Sequence, residues 1–340
     1  FRIEPDLLMN YIKKHFSGKP EMVIHENLLA AEKGIGLGSG LIENNLIEIE
    51  ICKDKTVEDD ILINGSEAIG LGSIAGGCDF ISSYPMSPST GVLVFLSQNS
   101  ETFGIISEQA EDEISAVNMS LGASYAGARA MVTTSGGGFA LMEEGISLSG
   151  MIETPLVIHV AQRPGPATGL PTRTEQGDLN LVLYSGHGDF PRVIFSPGRL
   201  EDGYVIMQKA FNLADKYQIP VFVLTDQYYM DSYYNLSPKK LENIKIEKKI
   251  IKTEADYKRF ILTKDGVSPR GIPGFGSGFV CVDSDEHDEE GRITEDLELR
   301  VKMTDKRLNK IKFLIEESET PILYGPEDYE NLIICWGSTV

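Results

Sequence analysis

Ala130-Met131-Val132-Thr133-Thr134-Ser135-Gly136-Gly137-Gly138-Phe139 is a short apolar run, a hydroxyl-and-glycine turn, and the start of a helical pattern. Residues 130–134 read as a strand and 139–149 as the helix that follows it. The same rhythm extends in both directions. Strands are expected over 80–83, 103–107, 155–161, 192–195 and 220–225, with helices over 92–98, 110–125 and 203–217. Short, fully apolar strands alternating with longer amphipathic helices imply an α/β, doubly wound, mostly parallel sheet covered on both faces. Ligands of such sheets sit beyond the carboxyl ends of the strands. The loops beginning at Tyr84, Ser107, Ser135, Arg163 and Asp226 therefore converge on one edge.

Outside this core the pattern is looser. Residues 6–17 have apolar groups at helical spacing, and Gly34-Ile35-Gly36-Leu37-Gly38-Ser39-Gly40 reads as a flexible connector. Residues 47–52 alternate like a strand. Asn64-Gly65-Ser66 reads as a turn with Ser66 as N-cap of a helix over 67–75. Gly70, Gly72 and Gly76 lie inside that helix, so close helix packing explains them better than a dinucleotide loop. After Asp226 the rhythm stops. The acidic run Asp283-Ser284-Asp285-Glu286-His287-Asp288-Glu289-Glu290 fails the calcium-loop spacing, with His287 fifth, no glycine sixth and Thr294 twelfth. It reads as a solvated loop without a metal. A long charged helix over 295–316 and a strand over 331–336 close the chain. Phe1-Arg2-Ile3 is neither a signal peptide nor a natural start, and both ends read as cut from a longer polypeptide.

The 340 residues suffice for one large domain or two ordinary ones. Hydrophobic and charged shares of 41% and 24% are those of a soluble globular protein. A formal charge of −20 argues against nucleic acid or an anionic membrane as partner. Cys52, Cys78, Cys281 and Cys335 form no CxxC pair, which excludes a zinc ribbon or a cluster-binding loop. They read as buried thiols in a reducing, cytoplasmic compartment. No apolar run is long enough to span a bilayer.

Four pieces could carry chemistry. In Glu111-Asp112-Glu113-Ile114, a helical wheel puts Ala110, Ile114, Val117 and Leu121 on one stripe. Glu113 falls at its edge, about 70° from the centre, while Asp112 points away and Glu111 lies about 90° off. An acidic first turn complementing the helix dipole explains any one of them equally well or better. Arg163, at the end of an apolar strand, has a guanidinium suited to fork onto a small carboxylate, and an ordinary surface arginine is an equal reading. Ser87, between Pro85 and Pro88, is a hydroxyl on a stiff loop or simply a turn residue. The Thr134–Gly138 turn offers backbone N–H groups to an anion or a heterocycle edge.

Taken as a set, these residues resemble the α subunit of 2-oxoacid:ferredoxin oxidoreductases, in the domain that grips the pyrimidine ring of thiamine diphosphate. Tyr84-Pro85-Met86-Ser87-Pro88-Ser89-Thr90 looks like that family's Tyr-Pro-Ile-Thr-Pro-Ser-Thr loop. The acidic helix with Gly122-Ala123-Ser124-Tyr125-Ala126-Gly127-Ala128-Arg129, the Thr134–Gly138 turn and Gln162–Leu170 follow in the family's order. Stretches 266–274 and 286–295 resemble two further family regions, and residues 1–35 the tail of a γ domain fused ahead of α. The likeness implies domains at 1–45 (γ-like tail and linker), 46–236 (pyrimidine-binding), 237–328 (connector) and 329–340 (start of a truncated domain).

The resemblance implies oxidative decarboxylation of a 2-oxoacid, 2-oxoglutarate first, to acyl-CoA and CO₂. Glu113 becomes the catalytic residue, hydrogen-bonded to the pyrimidine N1′ and favouring its imino tautomer. Ser87, Arg163 and Tyr84 contact substrate, and Pro85, Thr134, Ser135 and Gly136 contact the cofactor. Two departures stand out: Ser87 replaces a threonine, and Gly137 replaces the proline of the turn. Diphosphate, Mg²⁺ and a 4Fe-4S iron–sulfur cluster are expected on a β subunit, with coenzyme A as co-substrate and ferredoxin docking on β. This chain would be half of an active site in an (αβ)2 or similar oligomer. A non-redox thiamine-diphosphate decarboxylase or transketolase-like enzyme, and a non-catalytic assembly subunit, are the alternatives.

Overall fold

A computed structural model describes residues 4–47 and 54–340, in two compact units, Phe1–Asp59 and Asp60–Val340. The first contains a helix pair, α1 (Pro5–His15) and α2 (Glu21–Glu43). The expected helix over 6–17 corresponds to α1. The glycine run does not form a connector: Gly34, Gly36, Gly38 and Gly40 lie inside α2. Each glycine costs a helix only about 1 kcal/mol relative to alanine, and the apolar Leu28, Leu29, Leu37, Leu41 and Ile42 around them keep a helical rhythm. The strand expected over 47–52 falls almost wholly outside the described residues.

The second unit begins with β1 (Ile61–Asn64), α3 (Gly65–Ala75), β2 (Phe80–Ser83) and α4 (Thr90–Gln98). The one-turn α5 (Ser100–Phe103), β3 (Ile106–Gln109), α6 (Glu113–Tyr125) and β4 (Ala130–Thr134) follow. Then come α7 (Gly136–Leu141), α8 (Glu143–Met151), β5 (Leu156–Gln162), α9 (Leu179–Leu183) and β6 (Val193–Phe195). Next are α10 (Leu200–Tyr217), β7 (Pro220–Asp226), α11 (Gln227–Asp231) and β8 (Tyr233–Leu236). The chain continues through β9 (Ile250–Thr253), β10 (Arg270–Gly276) and α12 (Leu297–Glu316).

Six of these strands make one sheet in the order β3-β2-β4-β5-β7-β6, with every pair parallel. The apolar runs put alternate residues on opposite faces. Met131, Val157, Val221 and Val223 join one core with Ile69, Val92, Met207 and Phe211 from α3, α4 and α10. Val132, Ile158, Phe222 and Leu224 join the other with Val117, Leu121 and Ile146 from α6 and α8. The sheet is doubly wound, as its sequence implies.

Local differences have local causes. Helix α3 is capped by Asn64, not Ser66: the Asn64 side chain accepts from the Glu67 N–H, and the Glu67 carboxylate accepts from the Asn64 N–H. Ser66 is buried inside the helix. The glycines of α3 are there for contact, since a Cβ at Gly70 would fall 2.3 Å from the Phe95 ring and one at Gly72 would fall 2.7 Å from the Tyr204 carbonyl. The lost rhythm after Asp226 conceals two small sheets, β1 antiparallel to β8 and β9 parallel to β10. The expected strand over 331–336 does not form. Ile333 and Ile334 are exposed, and no described strand runs alongside to bond the backbone.

The acidic loop is not simply solvated. Glu286 turns inward onto Arg307, accepting two bonds of 2.9 Å, and His287 is fully buried against Phe260. Cys78 is buried, and burial pushes its thiol up to about 12, whereas Cys281 and Cys335 are exposed, contrary to the expectation of buried thiols. Among the described residues, no helix is long and apolar enough to cross a membrane, and no group of acidic, cysteine or histidine side chains is placed to hold a metal ion.

Candidate functional site

Glu113 opens α6, directly beyond the carboxyl end of β3. Residues 110–112 are not helical, so the helical wheel does not apply to them. Asp112 is the N-cap, its carboxylate accepting the Ser115 N–H at 2.7 Å, which leaves Glu113 as the first helical residue. The buried stripe of α6 is Glu113, Ala116, Val117, Ser120, Leu121 and Ser124, while Ile114 is half exposed. Serines can line a buried face here because backbone carbonyls accept their hydroxyls: Ser120 Oγ donates to Met131 and Ser124 Oγ to Pro155. Glu113 thus sits on the buried stripe itself, only 3% exposed.

Its carboxylate seats on the glycine turn. A Cβ at Gly138 would fall 2.4 Å from both Glu113 Oε1 and Thr134 Oγ1. Among the described residues, Glu113 Oε1 has no hydrogen-bond partner. Burial raises the Glu113 carboxyl above the ordinary range, an effect that the Arg163 charge offsets in part. Gly138→Ala is therefore expected to push the carboxylate out of place. The expected cost is about 1–3 kcal/mol in unfolding free energy; a thermal melt checks it, and a wild-type melting temperature would refute the packing argument.

Arg163 follows β5 and is buried, 8% exposed. Its Nη1 donates to the Ser87 carbonyl oxygen at 2.7 Å, tying the loop after β2 to the end of β5. Ser87 meets Arg163 through its backbone; its side chain and that of Tyr84 are exposed. Pro85 is half-buried, and Thr134, Ser135 and Gly136 are buried at the end of β4. A Cβ at Gly137 would lie 3.1 Å from the Ala167 carbonyl oxygen, so the turn packs against the loop after Arg163. The sequence-derived residues thus gather on the carboxyl edge of the sheet.

Asp178 is a residue that sequence reasoning passed over. Its carboxylate covers Gly136: a Cβ there would fall 2.4 Å from both carboxylate oxygens. Burial pushes the Asp178 carboxyl up, while the Arg163 backbone N–H and guanidinium draw it back down. Glu113 Oε1, Ser135 Oγ, Arg163 Nε and Asp178 Oδ2 are all buried without a hydrogen-bond partner among the described residues. Two sizeable cavities, about 640 Å³ beside Ile194 and Leu213 and about 420 Å³ beside His187 and Asp285, include neither Glu113 nor Arg163.

Beneath the site, His159 of β5 is fully buried between Thr133 Oγ1 at 2.7 Å and Thr225 Oγ1 at 2.9 Å. Burial lowers its pKa to about 3, so it is a neutral hydrogen-bonding strut.

A family model described as pyruvate flavodoxin/ferredoxin oxidoreductase, thiamine-diphosphate-binding, matches residues 71–306. The chain belongs to that family. The matched span includes every site residue above. Among curated relatives, the α subunit of 2-oxoacid:ferredoxin oxidoreductase 1 from Sulfurisphaera tokodaii is 40% identical over 296 residues, covering 81% of this chain and 47% of that one. A 2-oxoglutarate synthase subunit from Methanocaldococcus jannaschii is 34% identical over 281 residues, covering 81% and 74%. The solved 2-oxoglutarate:ferredoxin oxidoreductase from Magnetococcus marinus, with 2-oxoglutarate, coenzyme A and succinyl-CoA bound, superposes with a TM-score of 0.83 at 35% identity. That match covers 96% of this chain and 57% of that one. The chain spans about half the length of the Sulfurisphaera relative.

Proposed function

We propose that this chain is the α subunit, or part of it, of a CoA-acylating 2-oxoacid:ferredoxin oxidoreductase that uses 2-oxoglutarate. One observation carries the reading: a buried carboxylate, Glu113, ends at the carboxyl edge of the sheet with an oxygen that no other described residue satisfies. Leaving a buried carboxylate oxygen unpaired costs at least about 1–3 kcal/mol, so the position is suited to a group that arrives later. Membership of a thiamine-diphosphate-binding family, and 2-oxoglutarate in the Magnetococcus neighbour, support the choice of cofactor and substrate.

The residues present fit the cofactor's pyrimidine ring. Glu113 Oε1 has no hydrogen-bond partner among the described residues and can bond a ring nitrogen, and the absence of a side chain at Gly138 is what lets the carboxylate seat there. Thiamine diphosphate, when bound, supplies the electron sink for loss of CO₂ from a 2-oxoacid. Glu113 holds or releases a proton at Oε1, and its burial keeps that proton affinity high. Arg163, anchored by the Ser87 carbonyl, directs its remaining N–H groups at the substrate carboxylate. Ser87, Tyr84, Pro85, Thr134, Ser135 and Gly136 line the approach. A β subunit brings the diphosphate site, Mg²⁺ and the 4Fe-4S cluster. The net reaction converts the 2-oxoacid and coenzyme A to acyl-CoA, CO₂, a proton and two electrons for ferredoxin.

The test is to coexpress the chain, in its full-length form, with its β subunit and assay viologen reduction against a panel of 2-oxoacids. CoA-dependent reduction fastest with 2-oxoglutarate is expected. CO₂ release without coenzyme A or an acceptor would favour a simple decarboxylase instead. Arg163→Ala in that complex is expected to raise the KM for 2-oxoglutarate by about 10- to 100-fold, with a much smaller effect on coenzyme A. Equal effects on both would remove Arg163 from the substrate site.

A further inference from the structure

Residues 164–178, which join β5 to α9, carry a single cation, Arg173. Its backbone is pinned on both sides. Upstream the loop folds back on itself: the Leu170 N–H donates to the Pro164 carbonyl oxygen at 3.1 Å, and the Arg173 N–H to the Leu170 carbonyl oxygen at 3.1 Å. Gly169 allows the first of these turns, since its φ is +55° and a Cβ would fall 1.6 Å from the Pro164 carbonyl oxygen. Downstream, Thr174 Oγ1 donates to Asp226 Oδ1 at 3.3 Å and accepts the Tyr228 N–H at 3.3 Å. Gln176 Nε2 donates to Asp226 Oδ2 at 3.3 Å and to the Trp336 carbonyl oxygen at 2.9 Å.

These pins put Arg173 beside Arg163. Asp226 ends β7 and pairs in register with Gln162, the residue before Arg163, so the two strand ends stand about 5 Å apart. Thr174, held on Asp226, is therefore one strand away from Arg163, and Arg173 is its neighbour in the chain. Arg199, by contrast, follows β6, the outermost strand of the sheet. The Arg173 side chain is exposed. Among the described residues its guanidinium bonds only Thr172, Nη1 donating to the carbonyl oxygen at 2.8 Å and to the hydroxyl at 3.3 Å. An arginine has five donors, so most of the fork is uncommitted.

2-Oxoglutarate would bring two carboxylates to an edge that already holds Glu113, Asp178 and Asp226. The Arg163 fork, with Nη1 held by the Ser87 carbonyl oxygen, can grip one of them. The other meets like charges unless a second cation stands one strand away. We propose that Arg173 binds the distal carboxylate of 2-oxoglutarate and so sets a preference for dicarboxylic 2-oxoacids. The inference rests on the functional reading above, in which Arg163 takes the carboxylate next to the ketone.

The test compares 2-oxoglutarate with 2-oxopentanoate, which has a methyl group where the distal carboxylate would be. In the complete complex, Arg173→Gln is expected to raise the KM for 2-oxoglutarate about 10- to 100-fold, the size of a charge-assisted contact. The KM values for 2-oxopentanoate and coenzyme A should change far less. Arg173→Lys, which keeps the charge and loses the fork, should recover part of the loss. A second readout needs no turnover. Phenylglyoxal labelling of Arg173 in the wild-type complex, followed by peptide mass analysis, is expected to slow several-fold with 2-oxoglutarate present and to be unaffected by 2-oxopentanoate. Equal KM shifts for the two oxoacids, a shift confined to coenzyme A, or labelling that 2-oxoglutarate does not slow would each overturn the proposal. Arg163→Ala separates it from the functional reading, since that variant should raise the KM for both oxoacids. If it moves neither, the reading of Arg163 falls; if it moves both and Arg173→Gln moves neither, the present inference alone falls.

Discussion

Glu113→Gln in the complete complex is expected to lower turnover roughly 100- to 10,000-fold, the range that a positioned proton-transfer group contributes. The substitution keeps the shape of the side chain and its seat against Gly138, so assembly should be retained. What is lost is a proton that can be gained and released at a buried oxygen. The acid limb of the pH profile should move with it. A carboxyl raised by burial is protonated at a pH above the ordinary carboxylate range, so activity that needs its ionised form fades at a higher pH than an exposed glutamate would dictate. Linkage fixes the sign for stability. The folded state binds this proton more tightly than the unfolded state, so ionised Glu113 costs stability above its raised pKa. Glu113→Gln should therefore melt at the same temperature as the wild type or slightly higher near neutral pH. Turnover within about twofold of wild type would point instead to a non-catalytic subunit.

Glu153→Gln is expected to have the largest effect on stability, about 3–5 kcal/mol, the cost of removing one partner from a buried ion pair. Glu153 is 1% exposed just before β5, accepts from Lys306 and, at 2.6 Å, from Lys310 of α12, and its own backbone carbonyl accepts from Arg259. Lys306, Lys310 and Arg259 are themselves buried. One carboxylate thus compensates three buried cations, and a neutral amide would leave all of them without it. The cluster also gives stability a pH dependence. Glu153 is held well below the usual carboxylate range by these cations even though burial opposes it, so its contribution is present above the ordinary carboxylate pKa and lost as the pH falls through the lowered one. Burial draws Lys310 down to about 8, which works the other way: between there and the ordinary lysine range the unfolded chain binds more protons, and stability rises with pH. Urea unfolding of the variant and wild type checks the size. A loss below about 1 kcal/mol would mean that α12 is held by its apolar contacts alone.

The same cluster shows where sequence reading runs short. Glu153 lies 153 and 157 residues from Lys306 and Lys310, and a lysine on a charged helix reads as solvated until a partner is found for it. The fold itself was legible because buried parallel strands announce themselves as short apolar runs. Strands 80–83 and 130–134 are observed with the expected bounds, and the other four of the six-stranded sheet within three residues at each end. The stripe of α6 was misread for a reason that can be stated. Its buried face is built from Ala116, Ser120 and Ser124, and a hydrophobicity pattern scores serine as solvent-facing although backbone carbonyls satisfy these hydroxyls. Asp178 was invisible for another: an acid in a loop after an arginine carries no periodic signal, and only contact with Gly136 marks it out.

By itself the sequence determined the doubly wound sheet, the edge at which its loops meet, and the residue types gathered there, since periodicity and turn chemistry are local properties of the chain. Only the tertiary structure decided that Glu113 is buried with an oxygen unsatisfied among the described residues, that Gly136 and Gly138 are glycines because two carboxylates lie on them, and that Arg163 ties the loop after β2 to the end of β5. Burial and charge pairing depend on residues brought together from distant strands, and no window of sequence contains them.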